Sequence, residues 1–78
     1  PGAYQLKVIG DNSDTFVATI LATVREELKL LYEPRHQLKR TPQGRHVSIT
    51  LDLTVKNAAQ VAALYSKLQA RDDVRYLM

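Results

Sequence analysis

The chain has 78 residues, 45% of them apolar and 24% charged, with no cysteine. That length and balance point to one domain over residues 1–78 and exclude disulfides, thiolate metal sites and a membrane-spanning run of the roughly 18 apolar residues required. A net charge of +3 is mild for a nucleic-acid binder.

The sequence opens on Pro1 rather than Met, so a processed or trimmed start with a missing N-terminal piece is expected. No signal-peptide pattern follows, and the absence of cysteine suits a reducing, cytoplasmic setting. Residues 3–10, AYQLKVIG, read as a strand with Tyr4, Leu6 and Val8 on one face and Gln5, Lys7 and Ile9 on the other. Gly10 is expected to stop it, supplying an unusual backbone angle. DNSD follows, with Ser13 or Asp14 as the N-cap of a helix over residues 14–29. Its apolar stripe is Phe16, Val17, Ile20, Leu21, Val24, Leu28 and Leu31, spaced by three and four. The helix must end before Pro34.

Residues 35–40, RHQLKR, alternate poorly and suit only an edge strand, and TPQG (41–44) has turn chemistry. HVSITLDLTV (46–55) then alternates without a break: Val47, Ile49, Leu51, Leu53 and Val55 against His46, Ser48, Thr50, Asp52 and Thr54. A second helix spans 56–71, with Asn57 and Gln60 resembling a capping box and Ala58, Val61, Leu64, Tyr65 and Leu68 as its stripe. A turn and a last strand, Val74 to Met78, complete the chain. The order is β-α-β-β-α-β, an α+β class protein. The expected fold is a ferredoxin-like sandwich, a four-stranded antiparallel sheet with two helices on one face. The first and third strands are central. Odd residues of 47–55 face the helices, and Ser48, Thr50 and Asp52 face water or a partner.

Lys7, Val8, Gly10, Tyr32, Pro34, Val47, Ser48, Ile49, Leu64, Tyr65, Leu68, Val74 and Arg75, taken colinearly, resemble the small bacterial YbeD-like family of unknown function. The resemblance covers nearly the whole chain and implies an ACT-like, ferredoxin-like domain. It implies no reaction. The family usually carries more residues ahead of Pro1 and a differently composed hairpin where this chain has GRH.

Two candidate sites emerge. By resemblance to ACT-type loops, Lys7, Gly10, Asp11 and Asn12 are candidate ligand-binding residues beside the N–H groups that open the first helix; a plain cap and turn is the alternative. Arg35, Lys39, Arg40 and Arg45 concentrate positive charge between residues 35 and 46, which leaves the rest of the chain slightly acidic. They are a candidate phosphate contact or simple edge protection. The open faces of the central strands offer no aromatic residue, so base-stacking RNA recognition is not expected and nucleic acid is an unlikely partner. His36 and His46 facing one another across the hairpin form a possible metal pair without a third ligand. No nucleophile elbow, paired carboxylates or cofactor motif is present, so catalytic residues, metal and cofactor are all expected to be none. The expected partners are a second copy of the chain, an unidentified protein or a small metabolite.

Overall fold

The computed structural model describes residues 2–40 and 42–78; Pro1 and Thr41, the first residue of the TPQG turn, lie outside the described residues. The elements are β1 (Gly2–Asp11), α1 (Asp14–Leu28), β2 (Arg35–Arg40), β3 (His46–Val55), α2 (Ala58–Gln69) and β4 (Val74–Leu77). They form one antiparallel sheet in the order β2-β3-β1-β4, with β1 and β3 central as expected.

Register settles which side chains share a face. Val8 pairs with Ile49 and Leu6 with Leu51, and all four are buried. Against them pack Phe16, Val17, Ile20, Leu21, Val24 and Leu28 of α1 and Leu64 and Leu68 of α2. Both helices thus cover the aliphatic side of the sheet, and four of the five odd β3 residues are buried, Val55 being half-buried at the strand end. Burial of these side chains is the main favourable term in a chain this short.

The caps follow the local chemistry. Ser13 is the N-cap of α1, its hydroxyl accepting from the Phe16 N–H at 3.0 Å. At α2, Asn57 accepts from Gln60 N at 2.9 Å, while Gln60 Oε1 accepts from Lys56 N at 2.8 Å, one residue short of a standard capping box. α1 ends at Lys29, in the left-handed region with φ 55°. That reversal takes Leu31 off the helix, where it is 99% exposed, so the expected stripe ends at Leu28. Ala58 likewise lies exposed in the first turn of α2 and does not join the core.

Gly10 departs from expectation most clearly. It does not stop β1, which continues through it to Asp11, and its φ is not positive. A Cβ on Gly10 would stand 2.3 Å from Phe16 Cζ and 2.4 Å from the Asp73 carbonyl oxygen. The residue is small because the α1 ring and the turn before β4 occupy the side-chain space. Here β4 bulges: Val74 opposes Gly10, Tyr76 opposes Ile9, and Arg75 is the extra residue. The turn itself is held by a two-pronged contact from Arg71 Nε and Nη2 to the Asp73 carboxylate at 2.9 and 2.7 Å.

Away from this junction, Tyr4 and Tyr65 meet edge-to-face with hydroxyls 2.8 Å apart. The hydrogen bond from Tyr4, with burial second, pushes the Tyr65 phenol up to about 12.

Two outcomes follow. Gly10→Ala is expected to lower unfolding free energy by about 2–3 kcal/mol in urea titrations, through overpacking against Phe16 and Asp73. Because the folded-state pKa of Tyr65 is raised, its contribution is present below the ordinary phenol pKa and is lost as pH climbs through about 12. Phenolate absorbance should show one tyrosine ionising late, and Tyr65→Phe should remove that late step.

Candidate functional site

The side of the sheet opposite the helices is uncovered. In register, its rows run across the strands. Arg35 stands beside Asp52 and Gln5; Gln37 beside Thr50 and Lys7; Lys39 beside Ser48 and Ile9; and Ile9 beside Tyr76 on β4. Met78 joins the second row by two backbone bonds with Lys7, at 3.0 and 2.9 Å.

This face is less uniformly polar than the β3 alternation suggests. Ile9 is half-buried at its centre, flanked by Tyr76 and Met78, which are 68% and 59% exposed. Sequence reasoning placed Ile9 on this side but took the face as polar, and it left Tyr76 unplaced. The bulge explains the second omission. Strict alternation would set Val74 and Tyr76 together; the extra Arg75 sends Val74 and Leu77 to the helices and Tyr76 to the open face. A glycine at position 10 packed under a ring was the only signal, and it is invisible without the third dimension.

A shallow pocket of about 210 Å³ sits on this face beside the hairpin, lined by Ile9, Lys39, Pro42, His46 and Ser48 among others. Arg40 and Val47 line it too, and its walls are almost entirely apolar, formed by stems and aliphatic groups rather than by polar tips. Among the described residues, no carboxylate lies within ion-pair reach of Lys39 or Lys7. The acids on this face are otherwise engaged: Asp11 contacts Arg75 at 3.3 Å and Asp52 accepts from Gln5 at 3.2 Å.

The structure does not gather Lys7, Gly10, Asp11 and Asn12 into one loop. Lys7 and Asp11 lie on the open face, Gly10 is packed on the helix side, and Asn12 points to the hairpin. Asn12 Nδ2 donates to the Gly44 carbonyl at 2.8 Å, and its Oδ1 accepts from Arg40 Nη1. Arg40 also reaches Asp14 at 3.4 Å. Asn12 and Arg40 therefore pin the hairpin to the start of α1.

The basic set diverges in the same way. Arg40 faces the helix side beside Val47, whereas Arg35 and Lys39 face the open side roughly 13 Å apart along β2. Arg45 is exposed in the hairpin. His36, paired with Leu51, turns to the helix side and contacts the Pro34 carbonyl at 2.9 Å, so it does not face His46. In the turn before β4, Asp73 is held below the usual carboxylate range by the Arg71 guanidinium, which disqualifies it as a proton donor near neutral pH.

Removing the Asn12 side chain isolates the hairpin tether. Asn12→Ala should lower stability by about 1 kcal/mol and speed amide exchange across residues 43–46, leaving α2 protection unchanged.

The whole chain, residues 1–78, matches the profile of a family described as "Protein of unknown function (DUF493)", and it belongs to that family. A UPF0250 protein of Pasteurella multocida is 31% identical over 78 residues, all of this chain and 86% of the relative. One from Shewanella sediminis is 32% identical with the same coverage. The resemblance to YbeD-like chains therefore holds. Among solved structures, the ACT domain from the GTP pyrophosphokinase of Chlorobium tepidum superposes with a TM-score of 0.69, covering 97% of this chain and 94% of that one. At 13% identity this likeness confirms an ACT-like, ferredoxin-like fold and nothing further.

Proposed function

We propose that this DUF493 protein is a non-enzymatic, cytoplasmic binding domain that holds a partner protein or small metabolite on its open sheet face. The observation that carries the reading is the make-up of that face: Ile9 on central β1, Tyr76 and Met78 on the β4 edge, and Lys7 and Lys39, which have no acid partner among the described residues, beside them. A small protein that exposes clustered apolar side chains beside free cations is built to contact something. The ACT-like fold supports the same reading by analogy alone. A second copy of the chain is one candidate partner. The non-enzymatic part rests on the pairing of Asp11, Asp52 and Asp73 among the described residues and on a sequence without a nucleophile elbow.

Phosphate contact through Arg35, Lys39, Arg40 and Arg45 is the second reading. It is weakened because Arg40 is committed to Asn12 and Asp14 and the others diverge. Its mark would be affinity for polyuridylate that falls steeply with salt and vanishes in Arg40→Glu with Arg45→Glu.

The test is capture from native lysate followed by mass spectrometry of bound proteins and metabolites, together with sedimentation. Wild type should retain a partner, or self-associate, and Ile9→Lys with Tyr76→Asp should lose it by more than tenfold. Thr19→Lys, on the outer side of α1, should retain it. Equal retention by the open-face variant would overturn the reading.

A further inference from the structure

Two borders of the sheet resist pairing. β2 carries Arg35, Lys39 and Arg40 along its edge, and β4 is short and bulged. A further border is the first half of β1. β4 pairs with β1 only at Val8, Ile9 and Gly10, and Met78 adds two backbone bonds with Lys7. Among the described residues nothing pairs with residues 2–6 on that side, although their other side is laddered to β3 throughout. Backbone groups alternate along a strand, so residues two apart aim the same way. Lys7 gives both its N–H and its C=O to Met78. Gln5 and Ala3 therefore aim theirs into the same lane, beyond the end of β4. The stretch reads GAYQL: no charge, no proline and no bulge turns a strand away from it.

We propose that this lane is a docking site for an extended polypeptide segment of another protein, which adds to the sheet in line with β4. The free N–H and C=O groups of Ala3 and Gln5 are complementary to an extended backbone. Register then sets the side-chain pattern. An incoming residue opposite Leu6 or Tyr4 turns to the helix side, as Leu77 does opposite Val8; one opposite Gln5 or Ala3 turns to the open side, as Tyr76 does opposite Ile9. The helix side is bordered by α2. That helix joins β3 to β4 and so crosses β1, and its Tyr65 meets Tyr4 edge-to-face. Apolar side chains at alternate positions suit that space, whereas charged ones would lose part of their hydration there. The lane lies in the plane of the sheet, so this reading goes beyond the open-face one and neither depends on the other.

A second copy of the chain does not fit the same lane. Two such edges related by two-fold symmetry meet antiparallel and set their β1 strands about 4.8 Å apart. The two α2 helices, each crossing its own β1 on the same side of the joined sheet, would then crowd inside the roughly 8–10 Å that packed helix axes require. A lone strand brings no helix with it, and β4 already lies in this line beside β1.

The probe is the uncharged pentapeptide acetyl-TVTVT-amide, titrated into the full chain while backbone amide shifts are followed. Shifts should centre on residues 2–6 and Tyr65, with a Kd on the order of 1 mM, as befits so short a segment. The same peptide N-methylated at every residue loses its main-chain donors, and acetyl-TKTKT-amide places charge at the alternate positions. Each should bind about fivefold more weakly or worse. Ala3→Pro deletes an N–H aimed into the lane. It should weaken the first peptide about fivefold and leave the urea midpoint unchanged, because that N–H has no partner to lose. The N-methylated peptide makes the same point without altering the protein. Equal binding of the peptides, shifts centred elsewhere, or no shifts would each overturn the proposal. So would a dimer in sedimentation that Ala3→Pro dissolves, since a second copy would then hold the edge.

Discussion

The absent side chain at Gly10 is the constraint on which the arrangement turns. Three segments converge on the space a Cβ would fill: the strand itself, the Phe16 ring from the first turn of α1, and the Asp73 carbonyl at the entry to β4. The same carbonyl accepts from the Asp11 N–H at 3.3 Å, so the close approach also supplies a hydrogen bond. Because the chain enters β4 this tightly, the strand absorbs one surplus residue, Arg75, before its ladder with β1 resumes. The side on which Tyr76 emerges is decided there. A packing contact beneath the sheet therefore sets the composition of the surface above it.

The two faces divide the labour. Beneath, aliphatic residues from β1 and β3 interlock with the stripes of both helices, and no polar side chain is buried among the described residues. Above, the polar residues of β3 are half-exposed, or exposed at Asp52 and Thr54, and keep their contact with water. The sheet edges differ too. β2 presents Arg35, Lys39 and Arg40 along six residues, the kind of charged border that discourages edge-to-edge growth. β4 is only four residues long and bulged, which limits pairing by geometry rather than charge.

Much of the fold was legible in the residues. Unbroken alternation in 46–55 gave β3 its bounds and its buried side, and Ser13 and Asn57 marked the helix starts. What was not legible depends on distance in space. Leu31 continued a helical spacing, but the left-handed Lys29 had already turned the chain. Gly10 looked like a turn because glycine in sequence does not say whether it serves backbone rotation or close approach. The four cations of 35–46 looked like a patch, yet strand alternation and the Asn12 contact scatter them. Ile9 and Tyr76 lie 67 positions apart in the numbering, and only the ladder between β1 and β4 makes them neighbours.

That ladder has a bearing on synthesis. β1 is made first, yet both of its partners come late: residues 46–55 on one side and 74–78 on the other. Nearly all its pairing is non-local, a topology that delays closure. Until residues 74–78 dock, β1 can pair only with β3, and its other border waits as a naked row of amides and carbonyls. Only the arrival of β4, four residues long, closes it, from residue 7 onward.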